Sequence, residues 1–252
     1  MLTDHPAACH IPQLRQLWKL AFGDPDDFLD VFFRTAFSPD RCRCVLEEDT
    51  IAAVLYWFDC SVENQKFAYI YAVATHPDFR GRGLCRNLMA DTHGLLAHRG
   101  YAGAVLVPQK ESLRKMYAGM GYRDTGGLDI ITCTAAEAPV SLRAIGPEEF
   151  ASLRRQYLPE RSVVQEKENL AFLAQQLQFY AGDSFLLAAY TEKDRLHGIE
   201  LLGNTAAAPG IVKALNCTGG SFRTPGTATA FAMFHPVAEN AVTPAYFGFA
   251  FD

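Results

Sequence analysis

The run QKFAYIYAVATHPDFRGRGLCRNLM, residues 65–89, constrains the fold more than any other stretch of the chain. Phe67, Tyr69, Tyr71 and Val73 fall on alternate positions, the period of a strand with one buried face. Leu84 and Leu88 then take up helical spacing. Between strand and helix stand Arg80, Gly81, Arg82, Gly83, Cys85 and Arg86. A helix N-terminus presents unpaired backbone N–H groups and the positive end of the helix dipole, so it suits an anion. Gly81 and Gly83 allow close approach of a ligand to the backbone, and guanidinium groups match phosphate oxygens. A diphosphate is the expected guest; a solvated turn with incidental arginines is the alternative. The turn has neither the GxxxxGK[ST] of a P-loop nor the GxGxxG spacing of a dinucleotide fold.

Upstream, Pro12 suits the first turn of a helix that places Leu14, Leu17, Trp18 and Phe22 at helical spacing. A second helix follows in DPDDFLDVFFRTAF, with acidic residues near its positive end. RCRCVLEE, TIAAVLYWFD and QKFAYIYAVAT read as strands of an antiparallel meander, turning at Glu48-Asp49 and Glu63-Asn64. Cys42 and Cys44 share one face and belong to the core. The helix from about Gly83 ends at Gly100. YAGAVLVP is a buried strand, KESLRKMYAGM a short helix and GLDIITCTA a closing strand.

A boundary is expected in AAEAPV, residues 135–140, dividing the chain into 1–137 and 138–252. The second part restarts with a strand SLRAI, a helix over 147–157 and another around KENLAFLAQQLQFY. SFLLAAY, LHGIELLG and IVKALNC read as strands, and the tail is aromatic and turn-rich. This order repeats the helix–helix–strands plan of the first part, without the glycine and arginine turn.

With a net charge of −5, the chain does not read as a dedicated nucleic-acid binder. Seven scattered cysteines form no CxxC pair, and reduced thiols packed as small hydrophobes are expected. MLTDHPAACH lacks the basic and apolar regions of a signal peptide. No apolar run reaches the roughly 20 residues of a membrane span. A soluble, cytoplasmic protein with no membrane or nucleic-acid partner is the expectation. No HExxH, GxSxG or Cys/His cluster supports a metal site or an acyl-serine.

AVATHPDFRGRGLCRNLM resembles the acetyl-CoA-binding motif R/Q-x-x-G-x-G/A of the GNAT family of N-acetyltransferases. Arg80 and Gly83 match it, and Cys85 occupies its last, small position. KMYAGMGYRD resembles the family's second signature, Y-x-x-x-G-F/Y, through Tyr117, Gly121 and Tyr122. The resemblance covers residues from about 10 to 135, including the order of elements. The segments RGRGLCR and PQKESLRKMYAGMGY look most like the tandem, Eis-like branch, although this chain is shorter than usual for it. The fold implied is α/β (α+β), a mixed, mostly antiparallel sheet flanked by helices, followed by a smaller degenerate GNAT-like domain.

The resemblance further implies acetyl-CoA as cosubstrate. Its pantetheine arm would pair with the backbone of Val73, Ala74 and Thr75. Its diphosphate would rest on the turn formed by Arg80, Gly81, Arg82, Gly83, Leu84, Cys85 and Arg86. Two departures stand out: Cys85 replaces a glycine or alanine, and Lys110 stands where many relatives carry an asparagine that contacts the cofactor. Tyr117 matches the tyrosine that protonates the departing thiolate; a core tyrosine is the alternative. Two sources of a base stay open. One is water relayed through backbone carbonyls and distant carboxylates. The other is the side chain or α-carboxylate of Asp252, buried with the aromatic segment PAYFGFAFD; a terminal carboxylate reaches the active site in the Eis-like branch. Direct acetyl transfer to a primary amine, on a small molecule or a peptide, is the implied activity. A non-catalytic acyl-CoA-binding or regulatory module is the competing class. The first two helices and the second domain would shape the acceptor pocket, and Tyr56, Trp57 and Tyr69 hint at an amphipathic amine; His76 reads as a turn residue, and His93 and His98 as solvated.

Overall fold

The computed structural model describes residues 2–250. The chain forms two compact units, each built from several stretches of sequence. Of the described residues, 2–106, 110–123 and 234–242 make the first, and 107–109, 124–233 and 243–250 make the second.

The first unit begins with a short strand β1 (Leu2–Asp4) and two helices, α1 (Ile11–Phe22) and α2 (Asp26–Thr35). The meander β2 (Cys42–Glu47), β3 (Thr50–Val62) and β4 (Gln65–Thr75) follows, all antiparallel. Glu48, Glu63 and Asn64 take positive φ at its two turns, as the expected turn positions require. Helix α3 (Leu84–His98) then leads to β5 (Gly103–Leu106), which pairs parallel with β4. Helix α4 (Glu111–Ala118) completes the sequence-local part.

Alternation on β2 sorts the two faces of this sheet. Cys42 and Cys44 are fully buried and lie beside Tyr56, whose ring meets Phe32 of α2 edge-on at 5.3 Å. Arg43 points the other way and pairs with Asp91 of α3. Helices α1 and α2 therefore cover one face and α3 the other. Because both faces are covered, β3 is apolar without a break from Ile51 to Phe58, as buried strands are. Tyr56, Trp57 and Tyr69 are no more than 2% exposed. They belong to the core rather than to an open acceptor wall. Phe22, expected on the apolar face of α1, is exposed; Leu14, Leu17 and Trp18 carry that face.

The second unit contains β6 (Arg123–Thr134), β7 (Arg143–Ile145), α5 (Pro147–Tyr157), β8 (Val164–Gln165) and α6 (Glu168–Leu173). It continues with β9 (Gln178–Ala181), β10 (Phe185–Glu192), β11 (Arg195–Gly203), α7 (Ala208–Ala214) and β12 (Gly219–Pro225). The strand β13 (Thr229–Pro236) is shared, its last three residues belonging to the first unit. β9, β10 and β11 form an antiparallel meander, and β12 pairs parallel with β11.

The two units thus repeat one plan: strand, two helices, three-stranded meander, helix, parallel strand. This is the mixed α/β fold expected, with a degenerate second copy. Two readings of the second half need correction. IVKALNC lies in α7 and the turn after it rather than in a strand. Its apolar run fits either element, and Pro209 in the first turn decides for a helix. The helix expected through LQFY stops at Leu173, and Gln178 opens β9 instead. Among the described residues no helix is long and apolar enough to cross a membrane.

In the second unit a buried ion pair ties the chain's last stretch to the core. Arg154 on α5 donates from Nε to Glu200 Oε2 at 2.6 Å and from Nη2 to Oε1 at 2.9 Å. Tyr246 donates its hydroxyl to Glu200 at 3.0 Å, and its carbonyl accepts the N–H of Val163. Phe249 packs in the same cluster with Phe150 and Phe179.

Candidate active site

β4 and β5 pair only over Phe67–Tyr69 and Gly103–Val105. Beyond Tyr69, β4 runs on to Thr75 without β5 beside it in register. On its other edge the pairing with β3 skips: Tyr71 faces Tyr56, whereas Ala74 faces Val54. One residue more is spent on β4 than on β3, and Ala72 takes φ +48° there. This is a β-bulge. A positive φ is costly for a residue with a Cβ and marks a position where backbone direction matters. The segment holding Val73, Ala74 and Thr75 therefore offers backbone groups on the side that β5 has left. Nothing in the local sequence distinguishes Ala72 as the bulge.

The turn is compact and its arginines are partly committed. Pro77–Phe79 forms a 3₁₀ turn whose N-cap, His76, accepts the Asp78 N–H on Nδ1 at 3.3 Å. His76 is thus the turn residue expected. Arg80 Nε donates to the Thr75 carbonyl at 3.3 Å. Arg82 donates to the Asp78 carbonyl and lies over the Phe79 ring at 4.9 Å. Arg86 Nη1 donates to the Gly119 carbonyl at 2.8 Å.

Gly81 and Gly83 have φ of +78° and +75°, with open space where a Cβ would sit. Their requirement is conformational, since other residues rarely hold this backbone. Gly83 caps α3, and the first helical bond is from Asn87 N–H to the Gly83 carbonyl at 3.1 Å. The amides of Leu84, Cys85 and Arg86 are left without a helical acceptor. A diphosphate fits such a cradle: glycine backbone, unpaired amides and arginines, with no carboxylate among residues 79–86.

Cys85 is partly buried, and burial holds its thiol above the ordinary range although Arg86 pulls it down. It stays protonated near neutrality, consistent with a packing role in the small slot. Tyr117 on α4 is 7% exposed. Burial first and the neighbouring Cys85 second push its phenol well up. A phenol that keeps its proton is a donor rather than a base at neutral pH. The turn and Tyr117 are therefore brought together, while Asp252 lies outside the described residues.

Behind Tyr117 the structure assembles groups that spacing alone did not reveal. Tyr117 meets Tyr122 edge-on at 5.8 Å. The Tyr122 hydroxyl is 2.8 Å from His93 Nε2, and His93 stacks on His235. His93 is hence not solvated as its helical position suggested; His98 is exposed. The partner that buries His93 comes from far along the chain, and no local signal announces it.

The family described as acetyltransferase (GNAT) domain matches residues 6–124. No curated protein sequence matches the chain. Among solved structures, a GCN5-related N-acetyltransferase from Anabaena variabilis superposes with TM-score 0.72 at 15% identity, over 94% of this chain and 72% of that one. Eis1 from Mycobacterium abscessus gives TM-score 0.67 at 11% identity, over 94% and 74%. A tandem GNAT protein from the clavulanic acid biosynthesis pathway gives 0.57 at 12% identity, over 95% and 99%. These likenesses extend the fold over both units. Residues 6–124 thus match an acetyltransferase (GNAT) domain by sequence, and the solved structures share the fold of both units.

Proposed function

We propose that the protein transfers the acetyl group of acetyl-CoA directly to a primary amine. The observation that carries this reading is the juxtaposition of the glycine turn with α4, joined by the bond from Arg86 to the Gly119 carbonyl, two residues past the buried phenol of Tyr117. The backbone of Val73, Ala74 and Thr75, left by β5 and set apart by the bulge at Ala72, holds the pantetheine arm. Gly81 to Arg86 hold the diphosphate, with Arg80 and Arg82 supplying charge. The attacking nitrogen forms its bond to the acetyl carbon as the carbon–sulfur bond breaks. Tyr117 gives its proton to the departing sulfur. For the base that takes the amine proton we propose Asp252. Support for it is that the preceding chain, Tyr246 to Ala250, is largely buried, with Tyr246 held by Glu200 and Val163.

The reading includes a small-molecule or peptide acceptor and a cytoplasmic location. Seven cysteines, all free, fit a reducing compartment. A thermal-shift screen with CoA, acetyl-CoA and a panel of amines tests the proposal, since a ligand of the folded state raises its melting temperature. Stabilisation by both nucleotides and CoA release with at least one amine is expected. Stabilisation without release across the panel favours a non-catalytic acyl-CoA-binding module. No stabilisation by either nucleotide sinks the reading.

A further inference from the structure

We infer that the Arg86 side chain positions Tyr117 and does not bind the diphosphate, whose contact with this residue is through the backbone amide alone, an inference that rests on the acetyl-transfer reading above. Its position in the turn suggests a phosphate ligand, but its side chain is occupied elsewhere. Nη1 donates to the Gly119 carbonyl at 2.8 Å, and Nη2 lies 3.6 Å from where a Cβ on Gly119 would sit. Gly119 is the C-cap of α4, two residues past Tyr117.

The last carbonyls of a helix lack helical partners and carry the negative end of its dipole, so a guanidinium there satisfies both needs. The Tyr117 carbonyl is already taken by the N–H groups of Met120 and Tyr122, and that of Ala118 by Gly121. The Gly119 carbonyl is the one Arg86 reaches. Arg86 also stands in the first turn of α3, next to Cys85. One side chain thus joins the start of the diphosphate-binding helix to the end of the helix that carries the acid. It fixes the distance between the cofactor cradle and the phenol. Arg80 and Arg82 reach back only to carbonyls of the turn and the strand before it, so the cross-helix strut belongs to Arg86.

The test compares Arg86→Met, Arg86→Lys and Arg80→Ala with the unmodified protein, using CoA titration calorimetry and spectra of protein labelled with ¹³Cε-tyrosine. The ten tyrosines give few enough signals for Tyr117→Phe to identify that of Tyr117. A strut predicts that Arg86→Met binds CoA within about twofold of the parent. It also predicts a shifted or broadened Tyr117 signal, and kcat reduced about tenfold at unchanged KM for acetyl-CoA. Arg86→Lys, which keeps one donor, recovers part of the signal and of the rate. Arg80→Ala gives the opposite pattern, weaker CoA binding with the Tyr117 signal unmoved. The inference is overturned if Arg86→Met loses CoA affinity as Arg80→Ala does, or leaves the Tyr117 signal in place. Failure of the unmodified protein to bind CoA would instead overturn the acetyl-transfer reading on which the strut depends.

Discussion

The imidazole of His93 lies flat against that of His235, with centroids 4.1 Å apart and planes 13° from parallel. Two stacked imidazoles tolerate each other when neutral and repel when both are charged. Burial pulls His93 down from 6.5 to about 3, with His235 adding to the shift. Burial also lowers His235.

A pH dependence of stability follows. The unfolded chain takes up these protons near pH 6.5, whereas folded His93 resists until about pH 3. In that window the unfolded state binds more protons, so stability is full above about 6.5 and falls as pH drops. Each such proton contributes a slope approaching about 1.4 kcal/mol per pH unit. Urea midpoints at pH 7.5, 6 and 5 should decline, and His93→Phe should flatten the decline. An unchanged slope in that variant removes His93 from the explanation.

Tyr117→Phe removes only a hydroxyl from a buried ring. The expected outcome is a loss of about 10²-fold in kcat, within the range for a general acid, with CoA affinity within about twofold. Deleting Asp252 should also abolish turnover while leaving CoA binding intact. Near-normal rates in the deletion variant would return the base to a water relay.

Gly83→Ala puts a Cβ on a residue at φ +75° with free space around it. The cost is backbone strain of about 1–2 kcal/mol, read as a lower melting temperature. Weaker CoA binding should accompany it, because relieving the strain turns the cradle amides away. A variant equally stable and equally tight in CoA binding would show that the turn does not need this conformation.

Glu200→Ala leaves the Arg154 guanidinium buried without its carboxylate and should destabilise by about 3–5 kcal/mol. Tyr246→Phe removes one hydrogen bond to the same carboxylate and should cost about 1 kcal/mol. Denaturant titration separates the two, and similar costs for both would mean that the pair contributes little beyond the tyrosine.

The meander, its turns and the glycine–arginine turn were legible because each depends on short-range rules: period two, positive φ at turn positions, glycine before a helix. The second strand series was less so. A seven-residue, mostly apolar run such as IVKALNC satisfies helix and strand alike, and its helical form becomes intelligible from Pro209 before it and from the plan shared by the two units. The bulge at Ala72 and the burial of His93 were not legible. Register against β3 sets the first, and His235, far along the chain, sets the second. Arg86 was placed in the correct turn, but what its side chain touches depends on where α4 ends.

The first unit is not finished by its first 123 residues. Phe234 stacks on Phe67 at 5.8 Å, and the Val237 N–H reaches the Ala102 carbonyl at 2.9 Å. As a ribosome emits the chain, β5 is an open sheet edge until those residues emerge, although folding of N-terminal segments begins during synthesis. The first unit must therefore wait, partly built, until residues 234–242 have been made. A nascent or truncated chain lacking Phe234 and His235 would be the aggregation-prone form of this protein.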